Sequence, residues 1–179
     1  MSINQTQLNF YFNNIWRNRN RSLDQYRFSG WALIDKVSPT EKVLDVGCGD
    51  NPFKGKIQNL IGIDPAFPEA DFNCTIEEYA SSTSELFDVA FCLGSINFGG
   101  VDEIEKQIAS VIGLLKSGGR IYWRCNPGRK DHGNKDCESI DFYNWSIEEH
   151  VRLCDKFGCR LMECRWDTQN RLYAEWRTA

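Results

Sequence analysis

The chain has 179 residues, 41% of them hydrophobic and 26% charged, with eleven Phe, six Tyr and six Trp. That length and core supply describe one domain and exclude a disordered tail, a collagen-like fibre and a small disulfide scaffold. The net charge of −4 is uneven: residues 1–40 carry five basic and two acidic side chains, residues 41–118 five and thirteen, residues 119–179 eleven and ten. The middle third repels polyanions and no basic stripe exists, so nucleic acid is not the favoured partner.

Residues 5–37 read as helical, with Leu8, Phe12, Ile15 and Trp16 on one face and a break at Asn18–Asn20. A second helix is expected from Ser22, burying Leu23, Tyr26, Trp31, Leu33, Ile34 and Val37, and Ser38-Pro39 ends it. Strand-then-helix signals follow. Val43 to Val46 is an apolar strand entering a glycine turn, and Leu60 to Asp64 is a second. Phe72 to Ile76 is a third, and Phe87 to Leu93 a fourth. Residues 102–115 form an amphipathic helix with Ile104, Ile108, Val111, Ile112 and Leu115 on the apolar face and Glu103, Lys106 and Gln107 on the other. Gly118-Gly119 stops it, and Arg120 to Cys125 is the fifth strand. Residues 126–141 are a long polar loop, of the kind that carries function. Ser146 and Glu149 form a capping box for a helix to about Lys156. Arg160–Asp167 and Arg171–Arg177 alternate around Gln169-Asn170 as a hairpin, which makes the last strand antiparallel. Apolar strands alternating with helices predict a three-layer αβα sandwich around a mostly parallel sheet. We expect residues 1–39 to form a helical cap and residues 40–179 the main domain.

The eight cysteines include no Cys-x-x-Cys pair, and Cys154, Cys159 and Cys164 do not match a zinc spacing, so buried thiols are expected and no metal. No apolar run is long enough to span a membrane. Met1–Phe12 is polar and does not read as a secretory signal, so a reducing cytoplasmic setting is expected.

The chemistry concentrates in Val43-Leu44-Asp45-Val46-Gly47-Cys48-Gly49 followed by Ile61-Gly62-Ile63-Asp64. A strand ends in a glycine turn where a ligand must approach the backbone. A carboxylate at the end of the next strand suits the two hydroxyls of a ribose. The dinucleotide fingerprint requires a third Gly at position 52, which holds Pro52, and the P-loop Gly-Lys-Ser/Thr is missing. Asp45 and Asp64 also admit a plainer reading, tying down a loop and ending a strand.

On these residues the chain resembles the class I S-adenosylmethionine-dependent methyltransferases, over about residues 40–178. Phe87 to Phe91 resembles the family's fourth strand, and Leu114-Leu115-Lys116-Ser117-Gly118-Gly119 its approach to the fifth. The resemblance implies a seven-stranded sheet of order 3-2-1-4-5-7-6 with strand seven antiparallel. It implies S-adenosylmethionine as cofactor, with S-adenosylhomocysteine as product. Asp45, Gly47, Cys48 and Gly49 would line the methionine half. Asp64 would hold the ribose, and Pro65 would lie beside the adenine. The Thr75 hydroxyl and the Ile76 amide would serve the adenine edge, and Leu93 and Gly94 would pass near the methyl group. Arg27 or Tyr26 would meet the cofactor carboxylate from the N-terminal cap; the plainer reading makes Arg17, Arg19, Arg21 and Arg27 a solvated face. Three departures stand out. Asn51 occupies the family's third glycine, the first crossover leaves room only for a short or irregular helix, and Thr75 lacks the usual acid.

Methyl transfer needs alignment more than acid–base help. His132 is the candidate base, and His150 reads as structural. Asn97, Phe98, Arg129, Asp131 and Tyr143 are candidate acceptor contacts. A small-molecule acceptor is expected. The alternatives are a cofactor-binding protein without transferase activity, a small RNA methyltransferase using its arginines on phosphates, and a nicotinamide oxidoreductase.

Overall fold

The computed structural model describes residues 4–17, 22–127, 140 and 142–179. Its regular elements are α1 (Gln5–Tyr11), β1 (Val43–Val46), β2 (Leu60–Ile63), α2 (Ile76–Ser82), β3 (Phe87–Leu93), α3 (Val101–Gly113), β4 (Leu115–Cys125), α4 (Ile147–Lys156), β5 (Arg160–Trp166) and β6 (Leu172–Arg177). The sheet runs β2-β1-β3-β4-β6-β5. β2, β1, β3 and β4 are parallel, and β6 is antiparallel to both β4 and β5.

Alternate residues of each central strand feed opposite cores, as the two-residue repeat of a strand dictates. Leu44, Val46, Ala90, Cys92, Ile121 and Trp123 face one side, where α2, α3 and α4 supply Ile76, Ile104, Ile108, Val111 and Leu153. Val43, Val89, Phe91, Tyr122 and Tyr173 face the other, against Leu33, Phe53 and Ile57. Each of these buried aliphatic side chains contributes roughly 1.5–3 kcal/mol by leaving water. The sheet is thus covered on both faces, as its continuous apolar strands require.

Two expectations change. Among the described residues the sheet has six strands, not seven: the segment predicted as the third strand pairs with β2 through the isolated bridge Ile63–Phe72. Side chains take the ladder's place there. The Asp71 carboxylate accepts the Gly62 N–H at 2.9 Å, and the Asn73 amide donates to the carbonyls of Phe67 and Asp64. Thr75 then caps α2, accepting from the Glu78 N–H while the Glu78 carboxylate accepts from the Thr75 N–H. The remaining strand order is the implied one with its edge strand removed.

The helix expected from Ser22 is two separate 3-10 turns, Leu23–Gln25 and Gly30–Lys36. Gly30 sits at φ +61°, and a Cβ there would lie 2.5 Å from the Leu23 carbonyl oxygen. A right-handed helix cannot pass through that residue. The N-terminal segment follows its predicted face: Leu8 and Tyr11, with Phe12, Ile15 and Trp16, pack on Phe98 and Phe142. Among the described residues no helix is long and apolar enough to cross a membrane.

Candidate active site

The parallel strands deliver their carboxyl ends to one edge of the sheet, and a cavity of about 750 Å³ opens there. Ligands of open α/β sheets bind in this position because the strand-to-helix turns converge on it. After β1 the chain turns at Gly47 (φ +67°) and Gly49 (φ +59°), and Asn51 follows at φ +53°. Asn tolerates that left-handed conformation, so it serves where the resembled family has glycine. A Cβ on Gly47 would stand 2.2 Å from the Ser95 Cβ, so glycine is required for the turn to meet the segment after β3. The Gly47 and Cys48 amides both donate to the Ile63 carbonyl, at 2.8 and 3.0 Å. No helix forms between β1 and β2. The connection turns on itself and buries Phe53 and Ile57.

Asp64 is the hinge of this corner. One carboxylate oxygen accepts the Gly49 N–H at 3.0 Å, and the other accepts those of Ala66 and Phe67 at 2.8 and 3.1 Å. It therefore braces the glycine turn and lines the cavity at once. Asp45 is 3% exposed on the same wall. Burial, helped by the charge of Asp64, pushes its carboxyl up to about 7. Such a carboxylate is complementary to a cation. The Cys48 thiol is pushed up by burial, then by the Asp45 and Asp64 charges, which leaves it unreactive near neutrality.

Pro65, Thr75, Ile76, Leu93 and Gly94 line the cavity with Asp45, Gly47, Cys48, Gly49 and Asp64, so all ten core candidates share one space. Tyr26 and Phe98 join them. Arg27 is not on the wall; its guanidinium lies over the Phe28 ring at 5.2 Å. Asn97 is fully buried behind the wall. Its side-chain oxygen accepts the Asn126 N–H at 2.9 Å, and its carbonyl accepts that of Tyr143 at 2.7 Å. Tyr143 points its hydroxyl to Glu149 at 2.5 Å and does not reach the cavity. Arg129, Asp131 and His132 lie outside the described residues. His150 is buried against Trp145 and accepts the Trp176 indole N–H, the structural role expected of it.

The N-terminal segment roofs the cavity. The Asn9 amide donates to the Pro65 carbonyl, Phe12 meets Phe98 edge-on, Trp16 meets Phe67, and Arg17 pairs with Glu69. Two further groups escaped the sequence reading. Glu103, Lys106 and Gln107 of α3, assigned to solvent by helical periodicity, line the cavity. Arg124, Gln169 and Arg171 also line it. A charged residue inside the apolar run Ile121–Cys125 was the available signal for Arg124. Among the described residues no cluster of three or more His, Cys, Asp or Glu is placed to hold a metal.

No protein-family model matches the chain, and no curated protein matches it in sequence. Solved structures do match in shape. The 1,6-didemethyltoxoflavin-N1-methyltransferase of Burkholderia thailandensis, with 1,6-didemethyltoxoflavin and S-adenosylhomocysteine bound, superposes with a TM-score of 0.72 at 16% identity. The match covers 98% of this chain and 88% of that one. Magnesium protoporphyrin IX methyltransferase of Synechocystis PCC 6803, with S-adenosylmethionine bound, gives 0.71 at 14% identity over 100% and 99% of the two chains. The [4+2]-cyclase SpnF gives 0.58 at 13% identity, over 82% and 78%. Identities this low speak for architecture rather than activity. The chain has the fold of the class I S-adenosylmethionine-dependent methyltransferases.

Proposed function

We propose that this protein binds S-adenosylmethionine in the cavity and transfers its methyl group to a small-molecule acceptor by in-line displacement. The observation that carries the reading is the joint placement of the Gly47–Gly49 turn, Asp45 and Asp64 on one wall beneath an aromatic roof. The residues fit the cofactor. A nearly buried Asp45 carboxyl is matched by a cationic sulfonium or ammonium, and the cavity-lining Asp64 carboxylate is an acceptor of the kind that ribose hydroxyls donate to. The two methyltransferases named above hold this cofactor or its product in the same architecture. One of them also holds 1,6-didemethyltoxoflavin.

When bound, the cofactor supplies a methyl group on sulfur, already a good leaving group. The chain's residues then have three tasks. Asp64, Pro65, Thr75 and Ile76 hold the nucleoside. Thr75 keeps a hydroxyl lone pair for the adenine amino group while capping α2. Asp45 and the glycine turn orient the sulfonium arm. Leu93, Gly94 and the N-terminal roof exclude water and leave room for the acceptor to line up.

Calorimetry with S-adenosylhomocysteine is the direct test. We expect one binding site per chain and no binding of NADH. Failure of wild-type protein to bind either S-adenosylmethionine or its product overturns the reading. A second reading, binding without methyl transfer, is favoured by one fact: a cyclase shares the fold. Release of S-adenosylhomocysteine on presentation of acceptors separates the two.

A further inference from the structure

We propose that the β4–β6 end of the cavity is the acceptor subsite, and that it takes a small aromatic molecule bearing an oxyanion, a carboxylate or a phosphate, held by Arg124 and Arg171. The proposal rests on the cofactor reading above and names the substrate class of the same cavity.

The subsite is built around Asp167, whose side chain is 3% exposed. One of its carboxylate oxygens accepts the backbone N–H groups of Gln169 and Arg171 at 2.8 and 2.9 Å, which fixes the β5–β6 turn. The other accepts Arg124 Nε at 2.9 Å. Arg124 Nη2 donates to the Gln169 side-chain oxygen at 3.1 Å, and its guanidinium lies 4.1 Å from the Tyr26 ring centroid. The Arg124 side chain, Gln169 and the Arg171 backbone are thereby held together on Asp167, and all three residues line the cavity. A guanidinium has five N–H donors in a rigid fork, and the two contacts above leave donors for a planar oxyanion. Arg124 has a side-chain exposure of only 14%, so such a bond forms where water screens it weakly.

Position separates this end from the cofactor. Asp45 is the penultimate residue of β1 and Asp64 follows β2, whereas Arg124 is the penultimate residue of β4 and Arg171 precedes β6. In the order β2-β1-β3-β4-β6, β4 lies three strand spacings from β2, about 14 Å, and β6 four, about 19 Å. The methionine arm of a cofactor with its sugar at Asp64 is shorter than that span. The cavity is therefore acidic where the cationic cofactor rests and basic beyond it. Phe98 and Phe142 also line the cavity, and they favour an aromatic body over a bare hydrated anion.

The test titrates the full chain, alone and with saturating S-adenosylhomocysteine, with benzoate, phenyl phosphate and neutral benzamide, read by tryptophan fluorescence. We expect one of the two anions to bind at least 10-fold tighter than benzamide; which one does so distinguishes carboxylate from phosphate. Arg171→Gln should abolish that preference and leave the affinity for S-adenosylhomocysteine within twofold. Arg124→Lys, which keeps the charge beside Asp167 but loses the fork, should reduce it by a smaller factor. Equal binding of all three probes overturns the proposal. So does an Arg171→Gln protein that loses S-adenosylhomocysteine rather than the anion, since the arginines would then serve the cofactor. If wild-type protein binds no S-adenosylhomocysteine, the cofactor reading falls by itself, and the anion titration on the free chain still decides the subsite.

Discussion

The Asp64 carboxylate accepts the Gly49 N–H at 3.0 Å, joining the end of β2 to the second glycine of the β1 turn. One side chain thus sets the turn's shape and faces the ligand space. Asp64→Ala should lose both roles. We expect at least a 10-fold loss of S-adenosylhomocysteine affinity, consistent with a charge-assisted bond worth about 1.5–3 kcal/mol. Asp64→Asn should retain part of the brace and melt closer to wild type. Calorimetry and thermal melts of both variants check this, and full affinity in Asp64→Ala would place the sugar elsewhere.

Gly47→Ala should be severely destabilising. The residue has φ +67°, and the new Cβ would meet Ser95 at 2.2 Å. A left-handed backbone costs an alanine about 1–2 kcal/mol, and the overlap adds roughly 1–3 kcal/mol. Urea denaturation of Gly47→Ala and of the double variant Gly47→Ala/Ser95→Gly separates the contributions. The double variant should regain the packing part only.

Asp45 and His150 respond to acid in opposite directions. His150 is held down to about 3 chiefly by burial, so its folded form binds fewer protons than the unfolded chain between pH 6.5 and 3. Its contribution to stability is therefore present above pH 6.5 and lost as pH falls. Asp45, raised to about 7, binds more protons folded than unfolded, so its contribution is present below about pH 3.8 and lost as pH rises through 7. From pH 7 to pH 5 each is worth about 2 kcal/mol, with opposite signs. Wild-type stability should change little from these two groups over that range. Asp45→Asn should expose the histidine's loss on acidification, and His150→Phe the aspartate's gain. Urea midpoints at pH 7 and pH 5 read both, and parallel pH profiles in all three proteins would contradict the assignment.

The same raised carboxyl gives ligand binding a pH dependence. A ligand's ammonium group favours ionised Asp45. S-adenosylhomocysteine affinity should rise severalfold from pH 6 to pH 8 in wild type and stay flat in Asp45→Asn. Calorimetry across that range measures it, and an equal slope in both proteins would remove Asp45 from the ligand's surroundings.

Much of the architecture was legible in short stretches. The apolar runs at Val43–Val46 and Phe87–Leu93 are strands because both faces are covered, and the alternation of residues 160–177 is a hairpin. The positive φ of Asn51 suits the tolerance of Asn for that conformation, and the first crossover, expected as a short or irregular helix, has no helix at all. The segment Phe72–Ile76 misled because its β-like residues are outbid by side-chain bonds from Asp71, Asn73 and Thr75. The helix expected from Ser22 failed at Gly30, where the chain folds back on Leu23. Glu103, Lys106 and Gln107 were assigned to solvent because helical periodicity identifies a polar face without saying that a cavity opens beside it.

By itself the sequence determined the parallel sheet, its antiparallel last strand and the corner formed by Asp45, Gly47, Gly49 and Asp64, because strand periodicity and turn chemistry act over a few residues. Tertiary structure alone decided that Asn97 and Tyr143 brace the wall, that Arg27 leaves it, and that the Arg124 side chain and the Arg171 backbone converge on Asp167 at the far end. Those relationships depend on how distant segments pack in space. A side chain's role is set there by the neighbours that burial forces upon it.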